Sequence, residues 1–185
     1  MEKTTLRKIY KQKRAELTSL EIAVFQESIY QQIFNSEIID FNAINNVHLF
    51  LSMRKFKEID TQPIIDFFRS KGKKIIVSQC NFADDSLTHF YLEEKTELIL
   101  NKFGVPEPVN ATEVAVTEID LVFVPMLISD KENYRVGYGK GFYDRFLANC
   151  REDTKTIGLN FFPPIAKISD CNQYDIPLDN IIFPI

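Results

Sequence analysis

The 185-residue chain has no tryptophan, two histidines, three cysteines and six glycines, and each scarcity removes a class of chemistry. Cys80, Cys150 and Cys171 are odd in number, far apart and without a C-x-x-C pair, which argues against a disulfide framework and a structural zinc site. They read as three inert small hydrophobes. His48 and His89 sit inside the apolar runs Val47-His-Leu-Phe-Leu51 and Leu87-Thr-His-Phe-Tyr-Leu92, so both are expected in strands. A His-clustered metal site or a serine-type triad has little material to draw on. No apolar run approaches the roughly 18–20 residues that span a bilayer. The opening Met1-Glu-Lys-Thr-Thr leads into a charged helix, not the apolar stretch of a secretory signal. The expectation is a soluble cytoplasmic protein with no membrane partner.

Hydrophobic residues make up 45% of the chain, with 16 phenylalanines, which is ample for one core and excludes disorder. One domain over residues 1–185 is expected, and the length lets it bury that core alone. The net charge of −4 argues against nucleic-acid binding. Its distribution is uneven. Residues 1–20 hold Lys3, Arg7, Lys8, Lys11, Lys13 and Arg14 against Glu2 and Glu16, a surplus of four cations that leaves the remainder at −8. A cationic helix on an acidic body calls for a local anion.

Hydrophobic spacing predicts a helix over residues 3–17, with Leu6, Ile9, Tyr10 and Leu17 on one side and Lys3, Arg7, Lys11 and Arg14 on an adjacent face. Thr18-Ser-Leu-Glu21 is a capping box that opens a second helix to about residue 34. Residues 47–52 read as a short buried strand. Residues 60–70 read as a helix with Pro63 in its first turn and Gly72 as its stop, and 73–77 as the next strand. Residues 87–92 and 113–117 alternate like strands, with 103–108 an irregular connection. Residues 119–124 form a strong strand closed by Pro125, 142–149 a helix, and 154–159 and 180–183 short final strands. Strands alternating with helices imply an α/β layered domain with a largely parallel sheet.

Three of the six glycines, Gly137, Gly139 and Gly141, crowd into Arg135-Val-Gly-Tyr-Gly-Lys-Gly-Phe-Tyr-Asp144. Such crowding marks backbone that bends unusually or lets a ligand come close. The segment follows a strong strand and precedes a helix, the carboxyl edge where α/β sheets bind ligands. Arg135 and Lys140 add cations, and Asp144 adds a carboxylate able to hold a metal. Together they point to a polyphosphate site, against a purely structural turn. Two familiar motifs fail. Walker A would need glycine where Tyr134 stands and Ser or Thr where Gly141 stands. The dinucleotide fingerprint G-x-G-x-x-G meets Phe142 when started from Gly137 and Asp144 when started from Gly139.

The whole stretch from Val124 to Leu147 resembles the signature of the 5-formyltetrahydrofolate cyclo-ligase (methenyltetrahydrofolate synthetase) family. Lys3-Thr-Thr-Leu-Arg7 resembles that family's opening helix, Phe50-Leu-Ser-Met53 with Glu58-Ile-Asp-Thr61 its strand, loop and helix start, and Tyr174-Asp-Ile-Pro-Leu-Asp179 its closing acidic motif. These anchors run in the family's order over nearly the whole chain. The resemblance implies a three-layer α/β/α domain like ribose-5-phosphate isomerase and CoA transferases. It also implies a monomer that closes 5-formyltetrahydrofolate to 5,10-methenyltetrahydrofolate with ATP as co-substrate and Mg2+ as cofactor.

Residue by residue, the resemblance makes Lys140 and Arg135 the catalytic cations. It assigns ATP contacts to Lys3, Thr4, Thr5, Leu6 and Arg7 and to Arg135, Val136, Gly137, Tyr138, Gly139, Lys140, Gly141, Phe142 and Tyr143. Folate contacts fall to Leu51 and Glu58 and to Tyr138, Gly139, Lys140, Gly141 and Phe142, and magnesium to Asp144 and Asp175. Phe142 stands where the family commonly has tyrosine, and Gly158-Leu-Asn-Phe-Phe-Pro-Pro164 departs from its usual pattern. Two other readings stay open: a sugar-phosphate isomerase on the same fold, and a folate or nucleotide sensor without turnover.

Overall fold

The computed structural model describes residues 1–185 apart from 102 and 103. Four α-helices are present among the described residues: α1 Lys3–Glu16, α2 Ser19–Phe34, α3 Gln62–Ser70 and α4 Phe142–Ala148. The main sheet takes β1 Asn46–His48, β2 Lys74–Asn81, β3 Ser86–Tyr91, β6 Glu113–Val114, β7 Leu121–Pro125, β10 Lys155–Leu159 and β11 Asn180–Ile182. Two hairpins stand apart, one of β4 Glu97–Leu100 with β5 Pro106–Val109 and one of β8 Ile128–Ser129 with β9 Arg135–Val136.

The seven strands run in the order β11-β10-β7-β1-β2-β3-β6. The five from β11 to β2 are mutually parallel, and β3 is antiparallel to both of its neighbours. Both faces are covered, which explains the near-continuous apolar strands. Ile75, Val77, Leu121 and Phe123 point into one core with α2 and α3 residues such as Ile29, Ile33, Ile64 and Phe68. The alternate residues Ile76, Val122 and Val124 point into the other, against Phe146 and Leu147 of α4. Helix α1 packs separately, placing Leu6 and Tyr10 against Leu127, Ile128 and Val136 of the β8–β9 hairpin.

The α/β fold with a largely parallel sheet matches the expectation, and several boundaries move. The strand expected over 47–52 ends at His48; only the Leu49 amide continues the ladder, to the Ile76 carbonyl at 2.9 Å, before the chain turns outward. The strand expected over 73–77 runs on to Asn81, because β3 pairs with it to the end. The strand expected over 119–124 starts at Leu121, because residues 116–118 close a 3₁₀ turn first. That turn also cuts the strand expected over 113–117 to two residues.

The connection expected to be irregular over 103–108 overlaps β5 from Pro106 on, although Phe103 itself lies outside the described residues. Pro106 and Pro108 are two apart, so their missing N–H groups fall on one edge and leave the other, that of Glu107 and Val109, to pair with Ile99 and Glu97. The β8–β9 hairpin has two residues per strand, too short to leave a period in the sequence.

Candidate active site

Chain order makes a crevice. From β1 the chain passes to β2 on one side and only later to β7 on the other, so β1 lies where the winding reverses. A cavity of about 550 Å³ opens at the carboxyl ends of these strands, with Phe50 and Leu51 beyond β1, Ser78 and Cys80 on β2 and Pro125 closing β7. The glycine-rich loop forms another wall. Gly139 and Gly141 hold φ of +103° and +71°, conformations that favour glycine, and a Cβ on Gly139 would come within 3.1 Å of the Arg7 guanidinium.

Of the residues singled out in the sequence, Lys3, Arg7, Leu51, Glu58, Arg135, Val136, Gly137, Tyr138, Gly139, Lys140, Gly141, Phe142, Tyr143, Asp144 and Asp175 all line this one cavity. Thr4, Thr5 and Leu6 do not. Lys3 and Arg7 are one helical turn apart and share a face, whereas Thr4 and Thr5 turn to solvent and Leu6 is fully buried in the core under α1.

Charges meet in pairs. Lys3 Nζ donates to both Asp175 oxygens at 2.5 Å. Arg135, on β9 and almost fully buried, donates to Asp144 Oδ1 at 2.8 Å and to the Ile176 carbonyl at 2.6 Å. Burial lowers the Arg135 pKa and Asp144 opposes that, and an arginine stays protonated regardless. Arg7 donates to the Gly137 carbonyl at 2.9 Å, tying α1 to the loop. Lys140 differs: its side chain is 64% exposed and its carboxylate neighbour, Asp85, is 3.9 Å away, so its ammonium is free to swing.

Glu58 accepts from the Tyr138 hydroxyl at 2.9 Å on one oxygen and from the Met53 amide at 2.7 Å on the other. Burial raises its pKa, and those hydrogen bonds with the nearby Arg14 pull it back. The Tyr138 phenol is raised chiefly by burial and then by the Glu58 charge.

Among the described residues no three His, Cys, Asp or Glu side chains gather as a metal cage. Asp144 and Asp175, two carboxylates beside cations, fit a hard ion that arrives with phosphate oxygens and keeps several waters, which is the habit of Mg2+.

The sequence reading missed Phe50, Met53, Phe56, Ser78, Cys80, Leu87 and Pro106, which line the same cavity. Phe50 and Met53 were within reach, since they flank Leu51 in the Phe50-Leu-Ser-Met53 motif that carries part of the resemblance. Ser78 and Cys80 lie beyond the strand end predicted at 77 and left no signal. Burial and Glu107 push the Cys80 thiol up to about 11, which disfavours the reactive thiolate. His48 and His89 lie on β1 and β3 as expected, joined through Ser78 Oγ at 2.7 and 2.9 Å.

The fold and cavity define an α/β protein with a pocket at the carboxyl edge of its sheet, lined by clustered cations and aromatic walls. A family model described as the 5-formyltetrahydrofolate cyclo-ligase family matches residues 1–184. The 5-formyltetrahydrofolate cyclo-ligase of Haemophilus influenzae is 29% identical over 191 residues, covering 97% of this chain and 94% of that protein. The probable 5-formyltetrahydrofolate cyclo-ligase of Schizosaccharomyces pombe is 30% identical over 152 residues, covering 80% of this chain and 72% of that one. The solution structure of Aquifex aeolicus 5,10-methenyltetrahydrofolate synthetase shares the fold, with a TM-score of 0.81 at 24% identity over 99% of this chain and 90% of that one. The chain belongs to the 5-formyltetrahydrofolate cyclo-ligase family. No helix among the described residues is long and apolar enough to cross a membrane.

Proposed function

We propose that this chain, acting as a cytoplasmic monomer of one domain over residues 1–185, closes 5-formyltetrahydrofolate to 5,10-methenyltetrahydrofolate with Mg-ATP, releasing ADP and phosphate. One observation carries the reading: five cations, two magnesium-competent carboxylates and an apolar wall bearing Glu58 share a single cavity of about 550 Å³. That is the combination a polyphosphate and a flat heterocycle require together.

The formyl oxygen is a poor leaving group. In the proposed sequence it takes the γ-phosphoryl of ATP and ADP is released. N10 then attacks the formyl carbon and loses its proton, and phosphate departs with the former formyl oxygen. Such transfer depends on positioning and charge neutralisation more than on a side-chain nucleophile. Arg135, fixed by Asp144 and Ile176, supplies a rigid charge, and Lys140 a mobile one that follows the moving phosphoryl group.

Lys3 and Arg7 face the phosphates from α1, with Thr4, Thr5 and Leu6 as the turn that spaces them, and the backbone of residues 136–143 completes the cradle. Asp144 and Asp175 would hold Mg2+, which neutralises phosphate charge when bound. Leu51 forms apolar wall for the pterin and Glu58 accepts from its N–H donors, while Tyr138, Gly139, Lys140, Gly141 and Phe142 contact both ligands. The test is the near-ultraviolet absorbance of the conjugated methenyl product. Its growth only when protein, 5-formyltetrahydrofolate, ATP and Mg2+ are all present supports the reading. No growth in the complete mixture contradicts it.

A further inference from the structure

Two cations of the α1 face, Lys11 and Arg14, have no part in the phosphate cradle. Arg14 is 4% exposed, an expensive place for a guanidinium. It donates to the Met126 carbonyl and, at 3.4 Å, to the Tyr138 hydroxyl, and its Nε has no partner among the described residues. A buried cation needs an anion, and the Tyr138 hydroxyl leads to one, since it passes its own hydrogen to Glu58 at 2.9 Å. Lys11, one turn earlier on α1, lies over the Tyr138 ring at 5.4 Å, and Phe56 packs on that ring at 5.7 Å. Tyr138 is thus held at its hydroxyl and its ring. Among the described residues each Glu58 oxygen accepts one hydrogen, which leaves lone-pair capacity for another donor.

We propose that Arg14 is a positioning residue for heterocycle recognition, holding Tyr138 and through it Glu58 as an oriented, ionised acceptor for a paired N–H edge. The inference rests on the folate reading of the pocket, and it assigns a role to a side chain that itself does not line the cavity. Arg14 comes to Glu58 from α1, Tyr138 from the glycine loop and Tyr143 from α4, while Lys11 lies over the Tyr138 ring and Lys55 lines the same cavity. Burial opposes ionisation of Glu58, and Arg14 favours it. Removing the guanidinium therefore leaves a carboxyl that protonates at higher pH and ceases to be acceptor-only.

The test compares wild type, Arg14→Met and Arg14→Lys in two measurements. Carbon-13 NMR of the ligand-free protein follows the Glu58 carboxyl. Its midpoint is expected to rise in Arg14→Met and to return most of the way in Arg14→Lys. Calorimetry is expected to show 5-formyltetrahydrofolate binding weakened about tenfold in Arg14→Met, most strongly at low pH, with a non-hydrolysable Mg-ATP analogue bound as before. An unmoved Glu58 midpoint, or equal weakening of both ligands, overturns the proposal. If Arg14→Met does not fold, Tyr138→Phe breaks the same link and is expected to raise the same midpoint. If wild type ignores 5-formyltetrahydrofolate, the folate reading falls, while the Glu58 titration still decides the role of Arg14.

Discussion

In the proposed reaction Lys140 supplies the mobile charge for phosphoryl transfer, and its exposure makes it testable without disturbing the fold. Lys140→Ala is expected to depress turnover by about 10²-fold or more with an unchanged unfolding midpoint; wild-type turnover would remove the loop from the chemistry. Gly158 shows the opposite kind of constraint. A Cβ there would sit 2.1 Å from the Met126 terminal carbon, with Ile181 and Leu178 at 2.8 and 2.9 Å. Those are ends of flexible side chains in a packed core, so Gly158→Ala should cost about 1–3 kcal/mol in urea unfolding. His89 and His48 are kept neutral by burial, His89 with a pKa lowered from 6.5 to about 4 and His48 well below its usual value. The unfolded chain binds these protons and the folded one does not. Stability is therefore full above about pH 6.5 and falls towards pH 4, with a slope of about 1.4 kcal/mol per pH unit for each imidazole. Urea midpoints that stay flat across that window would contradict the buried neutral pair.

At the scale of elements, the readable ones carried their own punctuation. Thr18 accepts from the Glu21 amide, and Glu21 returns to the Thr18 amide at 2.8 Å, so the capping box reads directly as the start of α2. Thr18→Ala should lower stability by about 1 kcal/mol with an unchanged denaturant slope. Helix α3 announced itself through Pro63 and Gly72. What stayed illegible was pairing without period. The two prolines of β5 hid a strand that proline tolerates on one edge, and β8–β9 is held by its partner rather than by pattern. Helix α1 was legible as a helix and only half legible in purpose. Its spacing put four cations on one face, but nothing in the sequence said that Arg14 would be buried behind Tyr138 while Lys3 and Arg7 reach the cavity.

At the scale of the molecule, the parallel sheet reverses its winding at β1, and that reversal gathers segments far apart in the chain: α1, the turn after β1, the end of β2, the glycine loop and Asp175. The glycine-rich loop marked the place from composition, the family resemblance added Lys3, Arg7, Leu51, Glu58 and Asp175, and the wall from Ser78 and Cys80 became visible only once strand order was known. In the proposed reaction this cavity activates the formyl oxygen with the γ-phosphoryl of ATP. The most direct measurement uses 5-formyltetrahydrofolate carrying oxygen-18 in its formyl group, with unlabelled Mg-ATP and mass analysis of the released phosphate. The account predicts one labelled oxygen in each phosphate formed alongside methenyl product. Methenyl product accompanied by unlabelled phosphate would contradict it.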